Sequence, residues 1–212
     1  KVIHAIRRPK ATELSKLAAL GQYDGYRQEE EVAKNSKVET YIALKLLIDN
    51  QRWAGVPFYL RTGKALKEKI SEISIVFKSA ADYLFEGKQI LPNVLTFRIQ
   101  PNEGIFLHVV AKRPGFGIRL HPVTMELGYR SAFPGELPGA YERLLLDFMQ
   151  GDQRLFARSD EVDYSWKYID AIEHHIQKQK RIPAYKKGSW GPKEADKLIK
   201  GDNRQWHIAR SE

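Results

Sequence analysis

Hydrophobic and polar positions alternate along the middle of the chain. In TYIALKLLIDN, Ile42, Leu44, Leu46 and Ile48 fall on one side, and Tyr41, Ala43, Lys45 and Leu47 on the other. That period of two predicts a β-strand. A turn at Asn50-Gln51 leads through Trp53 to a second strand, Val56 to Arg61. SEISIVFK (71–78) alternates again, with Ile73, Ile75 and Phe77 on one side. NVLTFRIQ (93–100) and GIFLHVVAK (104–112) read as strands joined by the turn PNEG, and TMELGYR (124–130) as one more. Short strands in succession with tight turns predict a largely antiparallel sheet.

The period then changes. In GAYERLLLDFMQGD, the residues Tyr141, Leu144, Leu145, Phe148 and Met149 recur at helical spacing, with Gly151 suited to the C-terminal end. In SDEVDYSWKYIDAIEHHIQKQK, Val162, Trp166, Ile169, Ile172 and Ile176 form a stripe. Ser159 or Asp160 can cap its start, and acids early with lysines late suit the helix dipole. GPKEADKLIKGD predicts a short helix between Pro192 and Gly201. Ahead of the strands, Ala11 to Leu20 predicts a short helix, and GQYDGYRQEEEVAKNS a polar loop. Strands first and helices after predict an α+β architecture: one domain over residues 1–212, a large, mainly antiparallel β-sheet with helices packed on one face.

Composition narrows the functional classes. The 212 residues suffice for a sizeable core, and 42% hydrophobic with 29% charged residues is ordinary for a globular protein. No apolar run approaches the roughly 18 residues of a membrane span, and KVIHAIRRPKATEL lacks the apolar centre of a signal peptide. A cytoplasmic setting with no membrane partner is therefore expected. The first residue is Lys1 rather than Met, which suggests a piece of a longer polypeptide. With no cysteine, disulfides and thiolate metal sites are excluded. The net charge of +9 suggests anionic partners, although most lysines of a basic chain are simply solvated.

Familiar motifs mostly fail. A P-loop needs glycine five residues before the Gly63-Lys64 pair and Ser or Thr after it, but Phe58 and Ala65 stand there. In PGFGIRL, Leu120 occupies the third glycine position of a dinucleotide fingerprint. Glu173, His174 and His175 are adjacent on a helix and splay by about 100° each, so they do not share a face. His108 and His121 lack partners at ligand spacing. No G-x-S-x-G elbow is present. KQKRIPAYKKGSW (178–190) mixes cations with aromatics as nucleic-acid binders do, and equally as a chain crossing an acidic neighbour would; no nucleic-acid partner is expected. What remains is RWAGVPFYLRTGKALKEK (52–69), a strand ending in a glycine turn with Arg61, Lys64 and Lys69. Backbone N–H groups of a tight turn plus converging cations suit a small anion such as a phosphate, and the same residues also suit a plain solvated turn.

This block, R-W-x-G-V-P-F-x-x-R-x-G-K-x-L, resembles the glucose-6-phosphate dehydrogenase family. LGQY (20–23), RIQPNEGI (98–105), AYERLLLDFMQGD (140–152), F-x-R-S-D-E (156–161) and GSWGPKEAD (188–196) follow in the family's order. The resemblance covers essentially the whole chain, yet only the family's C-terminal α+β part. It implies that an N-terminal Rossmann domain binding NADP, the R-I-D-H-Y-L-G-K block and the general-base histidine lie outside these residues. It implies oxidation of glucose 6-phosphate to 6-phosphoglucono-δ-lactone in the oxidative pentose phosphate pathway, and no activity for this chain alone. Carried over residue by residue, Lys64, Lys69 and Gln100 match substrate contacts. Arg61 and Arg98 match part of a basic set that holds a second, structural NADP in some members. Ile70 and Ser74 replace basic residues of that set and His108 replaces a lysine. The resemblance also implies a homodimer through the sheet, or two such dimers paired into a tetramer. A non-enzymatic sugar-phosphate-binding or scaffold subunit of the same fold is the alternative.

Overall fold

A computed structural model of the chain describes residues 1–10, 12–79, 91–133, 135, 138–177 and 182–208, with backbone alone at 175–177. The basic run 178–181 and the side chain of Ile176 lie outside the described residues. The architecture is α+β and mainly antiparallel, as the alternation predicts. The described strands are shared between two four-stranded sheets. The chain divides into two compact units: Lys1–Glu68 with Ala140–Trp206, and Lys69–Gly139 with His207–Glu212.

In the first unit, β1 (Ala18–Tyr23), β2 (Tyr41–Leu47) and β3 (Pro57–Gly63) pair antiparallel, and the two-residue β8 (Ala184–Tyr185) lies parallel to β1. The helices are α1 (Leu14–Leu17), α3 (Ala140–Met149), α4 (Ser159–Gln177) and α5 (Lys193–Lys200). The two sides read from TYIALKLLIDN are the two faces of this sheet. Leu20, Ile42, Leu44 and Leu46 pack with Leu14 and with Tyr168 and Ile172 of α4. Fully burying a side chain such as Ile172 stabilises the fold by roughly 1.5–3 kcal/mol. On the opposite face, Ala19, Tyr41 and Ala43 pack with Tyr185 and with Ala195 of α5. Helices thus cover both faces of this sheet.

Two local expectations shift. Among the described residues, only Leu14–Leu17 of the expected Ala11–Leu20 helix is helical, because Ala18 to Gly21 pair with β2. Pairing in the middle of a sheet overrides weak helix propensity. The stripes of α3 and α4 also turn outward in part: Tyr141 is 83% and Trp166 58% exposed, whereas Asp147 is buried beside Arg143.

The second unit is an antiparallel meander of β4 (Ser71–Val76), β5 (Val94–Gln100), β6 (Gly104–Lys112) and β7 (Leu120–Gly128), followed by the single-turn α2 (Tyr129–Ala132). Register places Ile73, Ile75, Leu95, Phe97, Ile105, Leu107, Met125 and Leu127 on one face. The other face carries Ser74, Thr96, His108 and Thr124, linked as Ser74 Oγ to Thr96 Oγ1 (2.9 Å) and His108 Nδ1 to Thr124 Oγ1 (2.9 Å).

Glycine governs how closely the C-terminal segment meets the first sheet. A Cβ on Gly191 would fall 2.4 Å from the Tyr41 ring, and one on Gly63 would fall 2.6 Å from it. Gly191 also holds φ at +108°, a conformation other residues resist. Gly191→Ala is expected to destabilise the protein by about 2 kcal/mol or more, read as a lower thermal midpoint. An unchanged midpoint would show that the Tyr41 ring yields freely.

Candidate functional site

Strand β3 ends at Gly63, and Lys64 is the first residue beyond it. Its backbone is tied on both sides. The Lys64 N–H donates to Thr40 O (2.8 Å), and the Tyr185 hydroxyl donates to Lys64 O (2.7 Å). The loop after β8 continues the tie: Gly188 N–H donates to Ala65 O (2.9 Å) and Lys67 N–H to Ser189 O (3.0 Å). Ala65 is held at φ +49°, a conformation that persists where surrounding contacts dictate it. The turn's amides at Lys64 and Lys67 are therefore spent on carbonyls rather than offered to an anion. What the turn presents is the exposed Lys64 side chain, which forms no ion pair or hydrogen bond among the described residues.

Arg61 lies two residues before Gly63, on the face shared with Tyr41 and Tyr59. Its guanidinium carbon is 4.7 Å from the Trp206 ring centroid and 5.0 Å from that of Trp190, a cation–π contact with each. Burial pushes the Tyr41 phenol up to about 12, while the Arg61 charge pulls the other way. Farther along the hairpin, Asp202 accepts from Lys45 Nζ (2.5 Å) and from the Tyr59 hydroxyl. These contacts hold Asp202 below the usual carboxylate range, Lys45 contributing most. A cavity of about 340 Å³ opens there, lined in part by Lys45, Asp202 and Arg204. It lies at the Pro57 end of β3, roughly 20 Å along the strand from Lys64.

The remaining candidates belong to the second unit. Lys69 is exposed and leads into β4, whose first residue, Ser71, pairs with Gln100. Gln100 Nε2 donates to Ser71 Oγ (3.2 Å), so Lys69 and Gln100 share one end of the β4–β5 pair. Arg98 points inward: its side chain is 8% exposed, 3.8 Å from the Glu72 carboxylate and stacked 4.7 Å over Phe106. Burial, with the His108 charge second, lowers the pKa of His207. Among the described residues no group of His, Asp and Glu could hold a metal ion, and no helix is long and apolar enough to cross a membrane.

The sequence reading missed Thr40, Tyr185 and Asp202. Tyr185 and Trp190 stand within KQKRIPAYKKGSW, whose composition left open an exposed basic and aromatic strip or a chain crossing an acidic neighbour; the Lys187–Glu29 pair fits the second. Tyr185 is buried, Trp190 faces Arg61, and Lys187 pairs with Glu29 (2.8 Å) over the Tyr23 ring.

A profile of the family described as "Glucose-6-phosphate dehydrogenase, C-terminal domain" matches residues 1–207. The chain belongs to the glucose-6-phosphate dehydrogenase family. It is 42% identical to the glucose-6-phosphate 1-dehydrogenase of Mycolicibacterium smegmatis, over 98% of this chain and 44% of that protein. The Bacillus subtilis enzyme of the same name is also 42% identical, over 97% and 45%. A crystal structure of glucose-6-phosphate 1-dehydrogenase from Mycobacterium avium superposes with a TM-score of 0.78 at 34% identity, covering 100% of this chain and 43% of that one. A glucose-6-phosphate dehydrogenase in complex with its substrate glucose-6-phosphate superposes at 0.83 and 31%, covering 99% and 44%. The chain thus spans a little under half the length of the relatives it matches.

In this family member the depressed Asp202 gives a signed pH dependence. Its interaction with Lys45 stabilises the fold above the unfolded carboxylate pKa of about 3.9 and is lost as pH falls through the lower folded-state value. Asp202→Asn is expected to lower the unfolding midpoint at pH 7, with the difference from wild type shrinking below about pH 4. A difference that stays constant down to pH 2 would contradict this.

Proposed function

We propose that this chain is the substrate-binding and dimerisation part of an NADP-dependent glucose-6-phosphate dehydrogenase, working as one functional domain. The observation that carries this reading is Lys64: an exposed cation at a strand end whose backbone is fixed on both sides. A point charge in that position suits the phosphate of a sugar phosphate. In the second unit, Lys69 and Gln100 share one end of the β4–β5 pair, and their match to substrate contacts of the family supports a cation and a neutral hydrogen-bonding group there.

In this reading the phosphate takes no part in bond making. Its binding energy would orient the sugar at C1 for oxidation to 6-phosphoglucono-δ-lactone, the proton going to a base outside these residues and the hydride to a bound NADP. The dinucleotide supplies the hydride acceptor; these residues bind and orient. The reaction is that of the oxidative pentose phosphate pathway, and a cytoplasmic setting fits a cysteine-free chain of ordinary globular composition. Arg61 and Arg98 fit a second dinucleotide poorly. A nucleotide phosphate would have to displace two indoles from Arg61, or Glu72 and Phe106 from Arg98.

Dimerisation rests on the apolar face of the β4–β7 sheet, where Ile73, Ile75, Ile99, Met125 and Leu127 are all exposed. A contiguous apolar sheet face of this kind suits a second copy of itself.

Lys64→Ala in the enzyme that carries this chain is expected to raise the KM for glucose 6-phosphate by roughly 10- to 100-fold, as loss of a charged hydrogen bond implies. An unchanged KM would sink the substrate role. The 212 residues alone are expected not to reduce NADP, and measurable NADPH formation by the purified chain would overturn that expectation. For the dimer, an I75E/M125E double variant is expected to sediment as a monomer where wild type does not. Identical sedimentation would place the interface elsewhere.

A further inference from the structure

One side-chain hydroxyl joins the backbone contacts that brace the Lys64 turn. Tyr185 Oη lies 2.7 Å from Lys64 O, 3.0 Å from Thr40 O and 3.0 Å from Thr40 Oγ1. A phenol has one proton and two acceptor sites. The shortest contact takes that proton, so Tyr185 donates to Lys64 O. Thr40 Oγ1 accepts from the Tyr23 N–H (3.0 Å), which leaves its own proton for Tyr185 Oη. The relay runs from Thr40 to Tyr185 to Lys64, and Thr40 O closes it by accepting the Lys64 N–H. Tyr185 is buried, and burial raises its pKa, so the hydroxyl keeps the proton it donates. Both peptide groups flanking the Lys64 Cα are thereby held, which fixes the direction in which its side chain leaves the strand.

We propose that Tyr185 is a positioning residue for sugar-phosphate binding, acting through the Lys64 backbone and touching no substrate itself. This rests on the reading of Lys64 as the phosphate's cation. Binding by a flexible lysine costs conformational entropy, and a braced backbone reduces that cost.

The test is a double-mutant cycle in the full-length dehydrogenase that carries this chain, with glucose 6-phosphate as the varied substrate. Tyr185→Phe keeps the ring packing and removes the hydroxyl. It is expected to raise KM about three- to tenfold while kcat moves by less than about twofold, the size of one hydrogen bond's loss. In a Lys64→Ala background the same change is expected to leave KM where K64A alone puts it. A Tyr185→Phe enzyme with wild-type KM overturns the proposal, as does a KM effect that multiplies undiminished onto K64A. Either result leaves the substrate role of Lys64 standing. A K64A enzyme with unchanged KM removes that role and this proposal together. Should Y185F fail to fold, Thr40→Val removes the hydroxyl that feeds Tyr185 and reads the same cycle, with the same expected direction and the same loss of effect on K64A.

Discussion

The close approach of the C-terminal segment to the Tyr41 face of the first sheet is the constraint on which the rest depends. Gly63 and Gly191 leave room for the Tyr41 ring, and Gly21 leaves room for Tyr185 and Pro192. Ala19 and Ala43 keep the intervening floor shallow. Only with small residues at these points can Tyr185 reach Lys64 O and Trp190 reach Arg61. A Cβ at Gly21, Gly63 or Gly191 would meet a tyrosine ring atom at 2.9, 2.6 or 2.4 Å, so the ring or the segment would have to shift.

That approach links fold to function by a short path. Strand β3 carries Arg61 and Gly63 in fixed register with Ala43 and Tyr41 of β2. The indoles of Trp190 and Trp206 take up Arg61, so its charge serves the packing of the C-terminal segment. Lys64, one residue beyond the strand, has a tied backbone and an untied side chain. Under the proposed function, stability and binding are divided between two cations three residues apart.

Much of this was legible in the chain itself. The two sides of TYIALKLLIDN are the two faces of the sheet, because a period of two leaves no other assignment once β2 pairs on both edges. Lys64 could be picked out because a glycine and a lysine at a strand end are a local pattern. Tyr185 could not. Its strand has two residues, too few to show a period, and its partner Lys64 is 121 positions away. The lysines around it gave the segment a solvated look that buried Tyr185 and stacked Trp190 contradict. The turn's amides were misjudged for the same reason: sequence shows that a tight turn has donors, but not that Thr40 O and Ser189 O have already taken them. The outward apolar stripe of α3 has no such explanation in local pattern, since helical spacing says which residues share a face and not where that face points.

The most direct measurement is a crystal structure of the protein with glucose 6-phosphate bound, set against its ligand-free form. The account predicts a phosphate oxygen within about 3 Å of Lys64 Nζ, with the Thr40–Tyr185–Lys64 contacts the same in both. A phosphate held elsewhere with Lys64 turned to solvent, or a turn that forms those contacts only when the sugar is present, would contradict it.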